Sequence, residues 1–277
     1  VTQGGQQIDE ALRLATEGLR DIAVQPPAEA EWLLAELLGC VRAALPHHRQ
    51  PTQSQAHRYH AWLRQRASGL PFSYVCGRQP FRGMNLRVSP AVLIPRPETE
   101  QLVDWALPHI PAGSAVLDLC TGSGCIALAL RRESPAGAVY ASDVSVAALA
   151  VARGNAAEQG VTLELAAADG LKLPAAWSRF AVIVSNPPYI ASGDAHLAAL
   201  QHEPELALVS GADGLDLIRS IIREAGQHLC AGGVLLLEHG YDQAAAVRAL
   251  LAAAGFIEVL SHRDYSGIER ASQGRWP

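Results

Sequence analysis

The chain has 277 residues, of which 49% are hydrophobic and 18% charged, with a net charge of −5. That is enough apolar material for a sizeable core and too little charge for a disordered polymer, and the length suits one large domain or two smaller ones. No apolar run approaches the roughly 18 residues a membrane span needs, so membrane-spanning, collagenous, coiled-coil and disulfide-scaffold classes are excluded.

In chain order, Ile8, Leu12, Ala15, Leu19 and Ile22 fall at helical spacing, predicting a helix over 8–24. Pro26-Pro27 should break the chain, and a second helix should run over 28–38, where Gly39 can end it. Thr52 and Gln55 form a capping-box pattern that opens a helix to about Ala67, stopped by Gly69-Leu70-Pro71. Residues 1–70 are therefore expected to form a small helical domain. Residues 71–93 should be a β-hairpin linker, with strands at Phe72–Cys76 and 86–88 around Arg82-Gly83. A helix is expected from Pro97 to about His109. Beyond it, strand-like runs at 115–119, 138–142, 162–167, 180–185, 234–238 and 256–260 alternate with helical stretches at 124–132, 145–159, 214–229 and 241–254. Such alternation predicts an α/β fold over 94–277, with a mostly parallel sheet covered on both faces.

Charge is unevenly placed. Residues 1–36 carry two Arg and seven acids, residues 37–97 nine Arg and no acid, and residues 98–277 eleven bases and twenty acids. The middle block reads either as a basic face for an acidic partner or as the solvated helix faces of a short domain. The five cysteines, Cys40, Cys76, Cys120, Cys125 and Cys230, are odd in number and form no C-x-x-C pair. They fit a reducing cytoplasm, and no metal site is expected. The N-terminal residues show neither a basic stretch nor an apolar core, so no secretory signal is expected there.

Two motifs carry chemistry. The first, Asp118-Leu119-Cys120-Thr121-Gly122-Ser123-Gly124, runs from a buried strand into a helix, where small residues let a ligand approach the backbone. Asp143 ends the next strand, 19 residues after Gly124, an offset that suits a carboxylate bonding ribose hydroxyls. Together they predict a nucleoside ligand. The second, Asn186-Pro187-Pro188-Tyr189, follows a strand and should reach the same rim, because ligands in open α/β sheets sit beyond the strands' carboxyl ends. Both prolines fix φ and lack an N–H, so the corner is stiff and offers acceptors: the Asn186 amide oxygen and the Pro187 carbonyl. Between them a planar NH₂ group can be held, with Tyr189 stacked on its plane. Such a nitrogen is a poor nucleophile. Acceptors that stabilise the positive charge developing on it suit attack on a sulfonium methyl group.

These residues resemble the class I S-adenosylmethionine-dependent methyltransferases that act on planar nitrogens. Leu93-Ile94-Pro95-Arg96-Pro97-Glu98-Thr99-Glu100, Leu235-Leu236-Leu237-Glu238-His239-Gly240 and Arg263-Asp264-Tyr265 narrow the likeness to the HemK/PrmC family. The resemblance covers nearly the whole chain, best from about residue 70 onward. It implies a Rossmann-like, mostly parallel sheet with an antiparallel edge strand. It also implies methylation of the glutamine N5 nitrogen in the Gly-Gly-Gln motif of peptide chain release factors, yielding S-adenosylhomocysteine. On this likeness Cys120, Thr121, Gly122, Ser123, Gly124, Asp143, Asp169, Gly170 and Asn186 would bind the cofactor. Asn186, Pro187, Pro188, Tyr189 and Arg96 would hold the substrate, with Asn186, Pro187 and Tyr189 catalytic. The implied enzyme is cytoplasmic and monomeric, its partner a release factor rather than a membrane or nucleic acid. Glutamine methylation of a large-subunit ribosomal protein and adenine-N6 methylation of nucleic acid use the same corner and are the alternatives. Cys120 stands where many relatives have Gly and should take a negative φ, while Gly170 stands where some have Trp and removes a stacking surface.

Overall fold

The computed structural model describes residues 12–47, apart from 22 and 24, and residues 51–277, apart from 178. Among them, no helix is long and apolar enough to cross a membrane. The chain divides into two compact units, the first ending at Arg78 and the second beginning at Gln79.

In the first unit, residues 12–18 are helical, whereas the start of the helix expected from residue 8 lies outside the described residues. Three helices follow: α1 (Pro26–Leu38), α2 (Gln53–Ala67) and α3 (Phe72–Cys76). Pro26 and Pro27 open α1 rather than breaking the chain before it. In a helix's first positions the fixed φ of proline fits and its missing N–H is no loss. Gly39 ends α1 in the left-handed region, φ 65°. The capping box of α2 is complete: the Gln55 amide donates to Thr52 Oγ1 at 3.3 Å, and the Thr52 amide donates to Gln55 Oε1 at 2.9 Å. Leu19, Leu33, Leu34, Tyr59 and Val75 form the core, and the buried Tyr59 hydroxyl is satisfied by the Ala30 carbonyl at 2.9 Å.

The run 72–76, expected as a strand, is instead the short helix α3. Its ends decide this: Pro71 precedes it as N-cap, and Gly77 closes it with φ 72°. The hairpin lies later, as β1 (Arg78–Phe81) and β2 (Met84–Arg87). Arg82 (φ 44°) and Gly83 (φ 71°) supply the two positive φ values that a two-residue hairpin turn requires.

The second unit is built on a seven-stranded sheet. Its strands are β3 (Ala115–Leu119), β4 (Ala138–Asp143), β5 (Glu164–Ala167), β6 (Phe180–Ser185), β7 (Leu229–Glu238), β8 (Ile257–Arg263) and β9 (Glu269–Arg275), in the order β5-β4-β3-β6-β7-β9-β8. Strands β3 to β7 pair in parallel. The strand β9, which the sequence pattern does not show, inserts antiparallel between β7 and the edge strand β8. Alternating residues bury on opposite faces, the arrangement parallel strands adopt when helices cover both sides. Val116, Val182, Val184 and Leu236 pack with α4 (Pro97–Ala106) and α5 (Cys125–Glu133), whereas Leu117, Leu119, Ile183, Leu235 and Leu237 pack with α7 (Asp216–Ala225) and α8 (Ala244–Ala253). The helix α6 (Val146–Gln159) follows β4. Because β3, β4, β6 and β7 run in parallel, their carboxyl ends share one rim, where Leu119, Asp143, Ser185 and Glu238 lie.

The acid-free basic block is not a uniformly free positive surface. Arg42 pairs with Glu31, Arg66 with Glu29, Arg82 with Asp104 and Glu133, Arg87 with Glu158, and Arg96 with Glu203, each within its own unit.

Thr52→Ala removes the acceptor that caps α2 and is expected to destabilise the first unit by about 1 kcal/mol, with Thr52→Ser close to the parent. Urea unfolding of the three proteins measures this.

Candidate active site

The loop between β3 and α5 is tied down by side chains. Asp118 is fully buried, and its Oδ2 accepts the Thr121 hydroxyl at 2.6 Å and the Ala127 amide at 3.0 Å. Burial pushes its carboxyl up to about 7. Asn155 on α6 is also fully buried. Its Nδ2 donates to the Ser123 carbonyl at 2.9 Å and the Arg87 carbonyl at 3.0 Å, and its Oδ1 accepts from the Arg87 amide at 2.7 Å. One carboxamide thus holds the loop, the helix and the end of β2 together.

Three loop residues have positive φ: Cys120 (62°), Gly122 (54°) and Gly124 (83°). The negative φ expected at Cys120 is therefore not adopted. The chain must leave the buried end of β3 and immediately present the Thr121 amide to the Ser142 carbonyl, at 2.9 Å. A side chain in this region costs about 1–2 kcal/mol, and the thiol offsets part of that by packing against the core on the Leu119 face. Burial pushes the thiol up to about 12, so it is an apolar wall residue rather than a nucleophile. At Gly124 a Cβ would come within 3.2 Å of the Ala152 Cβ, so α5 and α6 need glycine there to approach. Gly170 has a φ of 56°, a backbone conformation that disfavours any side chain there.

Asp143, the last residue of β4, is half-buried. Its Oδ2 accepts from the Gly122 amide and its Oδ1 from the Ser145 amide, both at 2.9 Å. Burial raises its pKa while these amides pull it back. Each oxygen keeps lone-pair capacity for a further donor, such as a sugar hydroxyl.

At the end of β6, Asn186 is half-buried while Pro187 and Pro188 are buried. Asn186 Nδ2 donates to Thr99 Oγ1 at 3.1 Å, and Thr99 Oγ1 donates to Glu238 Oε2 at 2.9 Å. The Tyr189 hydroxyl makes a long contact with Glu238 Oε1 at 3.4 Å. Thr99 and Glu238 are 2% and 3% exposed, and burial pushes the Glu238 carboxyl up to about 7. Among the described residues none donates to Asn186 Oδ1 or to the Pro187 carbonyl. The next residues are equally fixed: Gln243 Nε2 donates to the Tyr189 carbonyl at 2.9 Å, and a Cβ on Gly214 would lie 2.1 Å from that oxygen.

One cavity of about 420 Å³ collects most of the predicted site: Arg96, Cys120, Thr121, Gly122, Ser123, Asp143, Asp169, Gly170, Asn186 and Pro188 line it. Gly124, Pro187 and Tyr189 do not. Asp169 is largely exposed and pairs with Lys172 at 2.5 Å. Arg96 is bound to Glu203, whose other oxygen accepts from the Ile94 amide at 3.1 Å. Thr99, within the 93–100 stretch that carries the family resemblance, lines the wall, as do Leu206, Val209 and Leu217, which the sequence reading passed over, while Glu238 and Asn155 hold it from behind. A signal for Glu238 was present, since it is the single acid at the end of the apolar run Val234-Leu235-Leu236-Leu237. The volume falls in the range of small-ligand sites. Asp143 at one end, a glycine turn with open space before Gly122, and apolar walls fit a nucleoside that bears an amino-acid chain.

Gly124→Ala, with its positive φ and the close Ala152, is expected to cost about 1–2 kcal/mol of stability and to weaken nucleoside binding. Thermal unfolding and calorimetric titration with S-adenosylhomocysteine read the two effects.

Comparison with known proteins agrees with this geometry. A family model described as the methyltransferase small domain matches residues 99–205, and one described as the PrmC N-terminal domain matches residues 10–77. A release factor glutamine methyltransferase of Burkholderia pseudomallei is 47% identical over 261 residues, covering 90% of this chain and 92% of its own. One of Coxiella burnetii is 41% identical over 273 residues, covering 97% and 98%. Among solved structures, a methyltransferase from Pyrococcus furiosus superposes with a TM-score of 0.55 at 19% identity, over 70% of this chain and 89% of that one. A 16S rRNA N2 methyltransferase of T. thermophilus, solved with AdoMet and guanosine, has the same score and identity over 72% and 50%. These two likenesses establish the fold, and the relatives establish the lineage: the chain belongs to the release factor glutamine methyltransferase family.

Proposed function

We propose that this protein transfers a methyl group from S-adenosylmethionine to the N5 amide nitrogen of the glutamine in the Gly-Gly-Gln motif of peptide chain release factors. The observation that carries the reading is the Asn186 carboxamide, whose NH₂ end is taken by Thr99 and whose oxygen is left unbonded in a residue lining the nucleoside cavity. Asp143 would hold the cofactor's ribose, Thr121, Gly122 and Ser123 its methionine part, and Asp169 with Gly170 would lie beside its base. When bound, the cofactor supplies a methyl group activated by a sulfonium. Asn186 Oδ1 and the Pro187 carbonyl accept the two hydrogens of the glutamine amide and orient its nitrogen. As the nitrogen gains the methyl group it becomes positive. The two acceptors stabilise that charge until one proton passes to water. No protein base is needed, because the methylated ammonium-like nitrogen is strongly acidic. The reading carries with it a cytoplasmic, monomeric enzyme whose partner is a protein rather than nucleic acid or a membrane.

Transfer of labelled methyl to a folded release factor, and its loss when the motif glutamine is replaced, is the direct test; absence of transfer contradicts the reading. Asn186→Ala is expected to remove about two to four kcal/mol of transition-state stabilisation, lowering kcat while cofactor affinity stays close to the parent. Asp143→Ala is expected to do the reverse, weakening S-adenosylhomocysteine binding in calorimetry with a smaller effect on saturated turnover.

A further inference from the structure

We propose that Glu238 and Thr99 are the positioning residues of this site, and that their hydrogen-bonded chain fixes which end of the Asn186 carboxamide faces the cavity. The inference rests on the methyl-transfer reading above and says how one of its parts is set.

A carboxamide presents an acceptor oxygen and a donor NH₂ of nearly equal size, so shape alone does not select between its two rotamers. The selection has to come from a neighbour that is only an acceptor or only a donor. Thr99 is not such a group by itself, since a hydroxyl does both. Its direction is set one step further back. Thr99 Oγ1 lies 2.9 Å from Glu238 Oε2 and 3.1 Å from Asn186 Nδ2. A hydroxyl has one hydrogen. When Glu238 is ionised it can only accept, so the hydrogen goes to it, only lone pairs are left toward Asn186, and only the NH₂ end can meet them. The oxygen is then turned the other way.

The geometry around Glu238 maintains this polarity. Its second oxygen faces the Tyr189 hydroxyl, at 3.4 Å, so both carboxylate oxygens look toward hydroxyl groups. The carboxylate closes β7 and is held in register by the sheet, opposite Ala271. Thr99 sits in the first turn of α4, where Pro97 starts the helix. A strand end, a helix start and the β6 corner thus meet through one carboxylate and one hydroxyl, both almost completely buried. Side chains on the glycine loop and Asp143 are not part of this chain of bonds, so cofactor binding should not depend on it.

The test compares Thr99→Val, Thr99→Ser and the parent, measuring kcat, KM for S-adenosylmethionine and thermal unfolding with a release factor as substrate. Valine keeps the shape and removes the hydroxyl; serine keeps the hydroxyl. The expected result is a fall in kcat of at least about tenfold for Thr99→Val, a cofactor KM within about twofold of the parent, and kcat for Thr99→Ser within about threefold. A hydroxyl that only filled space would leave kcat of the valine variant at the parent level, and that outcome overturns the proposal. Equal losses in the serine and valine variants overturn it as well, because serine preserves the hydrogen bonds. If the parent itself transfers no methyl group, the function reading fails and takes this inference with it. An active parent with an equally active Thr99→Val sinks the inference alone.

Discussion

A primary amide can be gripped by its nitrogen only if the protein offers acceptors and withholds donors at that spot. On the proposed reading, the corner that follows β6 meets that requirement. One residue beyond β6 stand two prolines, which carry carbonyls without N–H groups. The residue before them carries a carboxamide whose donating end is already taken by Thr99. Behind it stands a buried carboxylate at the end of β7, drawing hydrogens away from the cavity through Thr99. The acceptor character of the corner is therefore a property of three elements together rather than of the four motif residues alone.

The side of the cavity proposed to take the cofactor follows a different principle. There the glycine-loop backbone lines the cavity, and buried side chains hold it in conformations it would not keep unaided. Asp118 bonds the loop at two points, Asn155 binds it to α6 and β2, and Asp143 accepts the Gly122 amide. Cys120 tolerates a positive φ within that frame. The local cost is modest beside the several buried hydrogen bonds that over-determine the turn.

Much of this was legible in the sequence, for physical reasons that differ from element to element. Strands buried on both faces appear as continuous apolar runs, so Ala115–Leu119 and Phe180–Ser185 stand out, and the residues at their carboxyl ends can be placed on one rim from the sequence alone. The last strand was hidden by its composition. Glu269–Arg275 shows no apolar run, yet Ser272 and Gln273 are buried, and their side chains are satisfied there: His239 meets Ser272 at 2.8 Å and His262 meets Gln273 at 2.7 Å. Polar residues satisfied by partners distant in sequence leave no periodic trace. The segment 72–76 misled in the opposite way: its apolar run suggested a strand, but the flanking Pro71 and Gly77 set a helical turn. For the site, the motif residues named themselves, whereas Thr99 and Glu238 acquire their meaning only from a contact that spans 139 positions.

The central claim is that Asn186 Oδ1 and the Pro187 carbonyl receive the two hydrogens of a substrate amide. A crystal structure of the protein with S-adenosylhomocysteine and a Gly-Gly-Gln peptide measures it most directly. The account predicts the glutamine nitrogen within about 2.7–3.2 Å of both oxygens, with the Asn186 NH₂ group still on Thr99. A glutamine nitrogen distant from these oxygens, or an Asn186 carboxamide turned so that its NH₂ group faces the peptide, contradicts it.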